Sequence, residues 1–451
     1  MIRNLKIRSF LTFFREDLIV RAKTINPAPL IYVKYNSEFE SHKRCGIKIK
    51  KGNLVWLLMF FIYLMFNFNI PVSGKNPYLL SPLAKERAIN KGSNEVFGFA
   101  PYWTFNKLDN VDFSVLTTFA YFGVPVDGDG NLSKDDYGYS VFKSDQATEI
   151  FRKAHQNGTR VVLTLTQMNN GPIEAFLSSP DAQQNAIDQI ISEIKDRGID
   201  GANIDFEYTG NPGKDYRDQF SRFIRSLAIK MHEEIPDSKL TVSVYAGSAK
   251  TPMLYDISEL GKHADGVFMM AYDFANASSD DAMPTAPLYG HESGKYWYDV
   301  ASAVSDFLNF MPSNKLILGV PYYGYNYPVY EPKVKAQTYY YLSGRPQTYS
   351  DAQDKLGDNG DVKTGWDKDG QVGWKAYFDP NSYVWRMIFL EDVKSLSLKY
   401  DFAKNNNLKG VGIWALGFDS DKKELWTLLK DKFGTKLADS RVSQKEIGES
   451  I

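Results

Sequence analysis

The chain has 451 residues, 43% hydrophobic and 24% charged, enough to bury one large core or two ordinary ones. Its 53 basic and 54 acidic side chains leave a formal net charge of -1, which gives no field for a polyanion, so no nucleic-acid partner is expected. His42, His155, His232, His263 and His291 never fall at metal-ligand spacing and Cys45 is the lone cysteine, so no metal, cofactor or disulfide framework is expected.

In chain order, residues 1–53 show no core pattern and end in the basic stretch "KRCGIKIKK". The apolar run "LVWLLMFFIYLMF" (54–66) follows, and then "NFNIPVSGKN". A basic flank, an apolar core and small residues in that order resemble a signal peptide, with Val72 and Gly74 placed for cleavage after Gly74. Leu54 to Val72 also has roughly the 20 residues that a spanning helix needs, with the Lys/Arg excess on the side that would stay cytoplasmic. Either way 54–74 exports the remainder, secreted or anchored on the outer side, and is the one expected membrane contact.

From about residue 95, short β-branched or aromatic runs alternate with amphipathic segments. The runs are 96–103, 115–124, 160–167, 201–208, 239–247, 266–273, 315–324 and 410–417. Helical periodicity is clearest at 181–197, where Ile187, Ile190, Ile191 and Ile194 recur at three- and four-residue spacing, and extends to 214–234, 297–310, 391–406 and 420–433. Strands that are apolar on both faces and alternate with helices predict a parallel sheet; eight such units predict an α/β fold of the (β/α)8 TIM-barrel type over 95–434. An open doubly wound sheet would carry a glycine-rich phosphate loop after its first strand, and "GFAPYWTFN" is not one. The unit between strand seven and helix seven is oversized. Residues 327–385 carry the turn signals "GDNGD" and "DKDGQ" and the strand candidates "QTYYYL", "QVGWKAYF" and "SYVWRMIF", so a small mostly-β insertion is expected there. A polar tail, 435–451, closes the chain. Nothing marks a second catalytic domain, and a monomer is expected.

The fourth run, "DGANIDFEY" (200–208), is unusual in ending on carboxylates. Alternate side chains share a strand face, so Asn203, Asp205 and Glu207 point one way while Ala202, Ile204 and Phe206 point the other. In a barrel the apolar set faces the helices and the polar row faces the interior, near the C-terminal mouth where active sites sit. Two carboxylates buried together are expensive and mark a site of chemistry. Asn203 is expected to donate a hydrogen bond to Asp205 and keep it ionised, while burial and a neighbouring charge raise Glu207. Tyr102, Trp103, Tyr121, Tyr322, Tyr323, Tyr325 and Trp414 stand at strand ends and as a set suit the faces of sugars.

"DGANIDFE" resembles the strand-four signature of glycoside hydrolase family 18, the chitinase-like enzymes, written D-G-x-D-x-D-x-E. The resemblance extends to "MAYD" (270–273), "GVPYYG" (319–324) and "GIWALGFD" (412–419) on the expected strands six, seven and eight. It implies a retaining hydrolase of β-linked N-acetylglucosamine in chitin-type oligomers or peptidoglycan, with an N-acetylglucosamine-containing glycan as partner. The nucleophile would be the sugar's own N-acetyl oxygen, since this family is an exception to the two-carboxylate scheme. Glu207 would be the general acid/base, Asp205 the group that orients the N-acetyl, and Tyr272 a hydrogen-bond partner of its carbonyl. Trp414 would be the sugar platform and Asp273 a ligand of sugar hydroxyls; Met270, Phe99 and Tyr323 complete the expected substrate-binding set. Asn203 departs from the family's usual Asp and is similar to the spore-cortex-lytic and chitobiase-like branch. The alternative is a catalytically silent, lectin-like relative, against which the presence of Glu207 and Tyr272 speaks.

Two further motifs are set aside. "DGDGNLSKDD" (127–136) has Leu132 and Gly138 where a calcium loop needs Gly and Glu, so a turn is expected. Asn131, Asn157 and Asn276 sit in sequons that matter only in a glycosylating host.

Overall fold

The computed structural model describes residues 76–89, 91–355 and 362–434. The expected export segment at 54–74, residues 1–53 and the tail 435–451 lie outside the described residues. No helix of the described residues is long and apolar enough to cross a membrane.

Eight parallel strands close into a barrel: β1 (Glu95–Pro101), β2 (Thr118–Pro125), β3 (Arg160–Gln167), β4 (Gly201–Phe206), β5 (Lys239–Tyr245), β6 (Gly266–Met270), β7 (Leu316–Pro321) and, last in the chain, β13 (Gly410–Trp414), which pairs back onto β1. All eight expected runs are barrel strands. Among the helices, Pro180–Arg197 starts where the Ser179 hydroxyl accepts from the Ala182 N–H and stops where Gly198 turns left-handed at φ 64°, a conformation cheap only for glycine. Lys214–Glu234 matches its expected range, whereas Val300–Leu308, Val393–Asn405 and Glu424–Phe433 are shorter than the periodicity suggests.

The barrel interior is aromatic at its centre. Phe268 meets Phe97 at 5.6 Å and Phe99 at 4.8 Å between ring centroids. Its ring fits because β7 and β13 carry glycine beside it: a Cβ at Gly412 would lie 2.2 Å from the ring and one at Gly319 2.7 Å. On β4 the apolar set faces outward as expected, with Phe206 packed on Phe176 at 5.5 Å and on Phe223 at 6.2 Å in the flanking helices.

The packed unit begins earlier than the pattern at residue 95. Leu80 is buried, its N–H donates to the Arg197 carbonyl at 2.9 Å, and His155 bridges the Ser81 carbonyl and Asp200, each at 2.7 Å. Lys91 Nζ donates to the Leu116 carbonyl and to Thr159, both at 2.6 Å. These residues close the N-terminal end of the barrel, where a cavity of about 220 Å³ is lined by Lys91, Glu95, Arg160 and Lys409 among others. Chemistry in this fold belongs to the opposite end.

The insertion is a five-stranded antiparallel sheet in the order β10 (Lys363–Asp367), β11 (Val372–Asp379), β12 (Val384–Leu390), β8 (Tyr323–Val329), β9 (Arg345–Thr348). It is longer than the expected 327–385 at both ends, because β8 starts two residues after β7 with no turn residue between them. "DKDGQ" makes the β10–β11 turn and "GDNGD" lies outside the described residues. "QTYYYL" is a correction: it is no strand, only isolated bridges from Gln337 to Asp281 and from Thr338 to Val329. "DGDGNLSKDD" begins with a turn in which the Asp127 carboxylate accepts from the Asp129 and Asn131 N–H groups.

Candidate active site at the barrel mouth

The polar row of β4 points inward as its alternation requires. Asn203 is fully buried and Asp205 is 3% exposed, while Glu207, one residue past the strand, keeps some contact with water. Tyr255 donates to the Phe206 carbonyl at 2.7 Å and the Glu207 N–H donates to the Gln167 carbonyl at 2.8 Å, which fixes the peptide unit that leads into Glu207.

Asn203 does not serve Asp205 as expected. Its amide donates to Ser243 Oγ at 3.0 Å, and its carbonyl oxygen accepts from Thr241 at 2.8 Å. Register explains this: β5 places Thr241 directly opposite Asn203, so the neighbouring strand satisfies the amide before Asp205 can. Asp205 Oδ1 is left buried with no hydrogen-bond partner. Burial, and then the charge of Glu207, push the Asp205 carboxyl well above its usual range, against a smaller opposite pull from Ser243. The expectation that Asp205 is ionised in the free site is therefore corrected: two carboxyls in one low-dielectric pocket disfavour a double charge.

Glu207 is pushed up to about 7, first by burial, opposed by the hydrogen bond from Tyr245 and assisted by Asp273. Tyr245 Oη donates to Glu207 Oε2 at 3.0 Å. Burial and the nearby carboxylates hold the Tyr245 phenol protonated. The sequence reading missed Tyr245, because one Tyr at the end of an apolar strand reads as core. Its place opposite Met270 on β6 shows the interior position only once the register is known.

Tyr272 and Asp273 follow β6. The Tyr272 phenol is held protonated by burial and then by Asp205, Asp273 and Glu207, which places it among all three carboxyls. Asp273 has φ 59°, a region costly for residues with a Cβ that persists where the surroundings hold it. Tyr323, Tyr325 (3.0 Å) and Thr285 (3.1 Å) all donate to its Oδ1. Burial raises the Asp273 carboxyl and these hydroxyls lower it; because water still reaches it from the mouth, the burial effect is the weaker guide to its charge.

Trp414, 7% exposed, packs on Phe122 at 4.8 Å and on Phe99 at 5.6 Å. Phe99 is 2% exposed, so it supports Trp414 and does not itself offer a face to a ligand. Tyr323 is likewise fully buried and acts through Asp273. Met270 is partly exposed at the end of β6. Two more of the strand-end aromatics face away from the mouth. Tyr121 packs among Phe105, Phe142 and Phe151, and Tyr322 meets the Tyr400 hydroxyl at 3.3 Å, since each alternates with a neighbour that does point inward.

Residues 95–419, which span the barrel and its insertion, match the model of a known family described as Glycosyl hydrolases family 18. The chain belongs to that family. It is a glycosidase by that membership, and its Asp205 and Glu207 fall within the matched span. Among curated relatives, di-N-acetylchitobiase of Homo sapiens is 24% identical over 310 residues, 63% of this chain and 76% of that protein. The putative sporulation-specific glycosylase YdhD of Bacillus subtilis (strain 168) is 26% identical over 264 residues, 56% of this chain and 56% of that protein. Of solved structures, the Ostrinia furnacalis Group IV chitinase superposes with a TM-score of 0.65 at 19% identity, over 76% of this chain and 100% of that one. The spore cortex-lytic enzyme SleL of Bacillus megaterium superposes with a TM-score of 0.59 at 19% identity, over 75% and 74%. At these identities the structural likeness is one of fold.

Proposed function

We propose that the chain is a retaining, substrate-assisted hydrolase of β-linked N-acetylglucosamine, in chitin-type oligomers or peptidoglycan. The observation that carries this reading is Asp205 Oδ1, a buried acceptor without a donor, beside an acid at about 7. Buried polar atoms are normally partnered, and an N-acetyl N–H is a donor of the right kind to complete this one.

The chemistry follows from the proton count. The free pair of Asp205 and Glu207 disfavours a double charge, so near neutrality it holds a proton. An N–H donated to Asp205 stabilises its ionised form and leaves the proton on Glu207. Glu207 then protonates the leaving glycosidic oxygen while the N-acetyl oxygen attacks the anomeric carbon from the opposite face. The Tyr272 phenol orients that oxygen, and ionised Asp205 offsets the positive charge of the resulting oxazolinium ion. Water, deprotonated by Glu207, opens the ring and returns the proton to Glu207, so two inversions give net retention. Trp414 supplies the face on which the distorted sugar rests.

Export by residues 54–74, either cleaved or kept as an anchor, would place the enzyme with such polymers outside the membrane. Incubating the protein with N-acetylglucosamine oligomers and with purified peptidoglycan, and weighing the products, tests the reading. Release of N-acetylated fragments is expected from at least one of them; cleavage of neither leaves only the silent, glycan-binding alternative.

A further inference from the structure

The cavity of about 220 Å³ at the N-terminal end of the barrel is lined by charge that the catalytic site does not use. Four cationic side chains, Lys91, Arg160, Lys239 and Lys409, meet only two carboxylates there, Glu95 and Asp265. Both carboxylates are already engaged. Glu95 accepts from Arg160 Nη2 at 2.8 Å and from the Thr118 hydroxyl at 2.6 Å, while Asp265 meets His232 at 3.0 Å and Lys239 at 3.7 Å. Among the described residues neither Lys91 nor Lys409 therefore has an ion-pair partner. Arg160 Nε is buried with no hydrogen-bond partner.

Buried charges are normally paired, and an unpaired one shifts towards its neutral form instead. Both lysines move in that direction. Lys91, 7% exposed, is pulled down to about 7, first by burial and then by Arg160, against Asp112 and Glu95. Burial is also the largest influence lowering Lys409, with Arg160 and Lys315 adding to it and Glu95 and Asp265 opposing it. Lys91 Nζ already donates to the Leu116 carbonyl and to Thr159, so protonation leaves a third N–H for a ligand.

A small anion completes this set. The space is several times the roughly 30 Å³ that one water occupies in the liquid, and Lys239, whose side chain is 45% exposed, stands at its solvent edge. Phe97, packed on Phe268 at 5.6 Å, and Thr241, whose hydroxyl is given to Asn203 at 2.8 Å, close the cavity off from the catalytic row. We propose that this cavity binds a small inorganic oxyanion of the phosphate or sulfate type between Lys91, Arg160 and Lys409. The bound ion ties the segment that enters the barrel at Lys91 to the starts of β3 and β13, so it is a structural ligand and takes no part in hydrolysis; its presence does not depend on the substrate class proposed above. Binding is linked to a proton, because the anion favours the ammonium form of Lys91. Below about pH 7 that form is already present, and above it the proton must be taken up, so affinity falls as pH rises.

Sulfate is the probe, since its own charge does not change across this range. Isothermal titration of the full chain with sodium sulfate at fixed ionic strength should show one saturable site at pH 6, with affinity about ten-fold weaker at pH 8.5. Lys409→Met removes the charge and keeps the apolar stem, and should abolish the site with an unchanged circular-dichroism spectrum. Lys239→Gln, at the exposed edge, leaves folding alone and should weaken binding less. Sulfate also stabilises folded proteins by exclusion from their surface, so a rise in melting temperature counts only where it saturates and is lost in Lys409→Met. Absence of saturable binding at pH 6 would overturn the proposal, as would parental affinity in both variants, which would put the ion elsewhere. Equal affinity at the two pH values would remove Lys91 from the site and overturn it as well; should Lys409→Met fail to fold, the pH comparison and Lys239→Gln decide.

Discussion

Replacing Tyr245 by Phe removes one hydrogen bond from the proposed acid and almost nothing else. The phenol donates to Glu207 Oε2 at 3.0 Å and thereby favours the charged carboxylate, opposing the burial that raises Glu207 to about 7. A hydrogen bond to a charged group is worth roughly 1.5–3 kcal/mol and one pKa unit is about 1.4 kcal/mol, so its loss corresponds to about one to two units. Glu207 still touches water, which screens the effect and selects the lower end, about one unit. The sign is upward, because without the donor the neutral acid is favoured. The competent form of Glu207 is protonated, so the alkaline limb of kcat/KM should move about one unit to higher pH. The assay is a pH profile on a chromogenic N-acetylglucosamine disaccharide, read from the position of the limb and not from its height. A limb that stays in place or moves to lower pH would refute Glu207 as the proton donor under control of Tyr245.

Glu207→Gln should lower turnover by about 10²–10⁴-fold with an unchanged circular-dichroism spectrum, that being the usual scale of acid/base catalysis. Asp205→Asn should lower activity and yet stabilise the fold near neutral pH. Burial and the Glu207 charge hold the Asp205 carboxyl well above the usual aspartate range, so its stabilising protonated state is complete below about pH 4 and is lost as pH rises through the raised folded value. The neutral amide removes that loss, and thermal melts at pH 5 and pH 8 should differ less in the variant than in the parent. Trp414→Ala should weaken binding and rate together, as seen in KM and kcat; a change in melting temperature alone would make Trp414 core.

The barrel was legible because strands buried on both faces and helices with a 3.6-residue period leave different marks. The polar row of β4 was legible for the same reason, as Asn203, Asp205 and Glu207 break an otherwise apolar strand at a period of two. What alternation could not show was which neighbour each polar group meets. Asn203 lies opposite Thr241 on β5, a matter of register between strands far apart in sequence, and so its amide is spent on β5 and Asp205 is left open. Tyr245 escaped notice for the same reason, and Phe99 was misread as a ligand contact because burial beneath Trp414 leaves no trace in its own sequence neighbourhood. The start of the insertion was misplaced because only Tyr322 separates the end of β7 at Pro321 from the start of β8 at Tyr323.

The central claim is that the substrate's N-acetyl group is the nucleophile and Glu207 its acid partner. Proton NMR of the anomer first released from tetra-N-acetylglucosamine, with the de-N-acetylated tetramer alongside, addresses it most directly. The account predicts the β-anomer from the acetylated tetramer and no cleavage of the other; an initial α-anomer, or comparable cleavage of both, would contradict it.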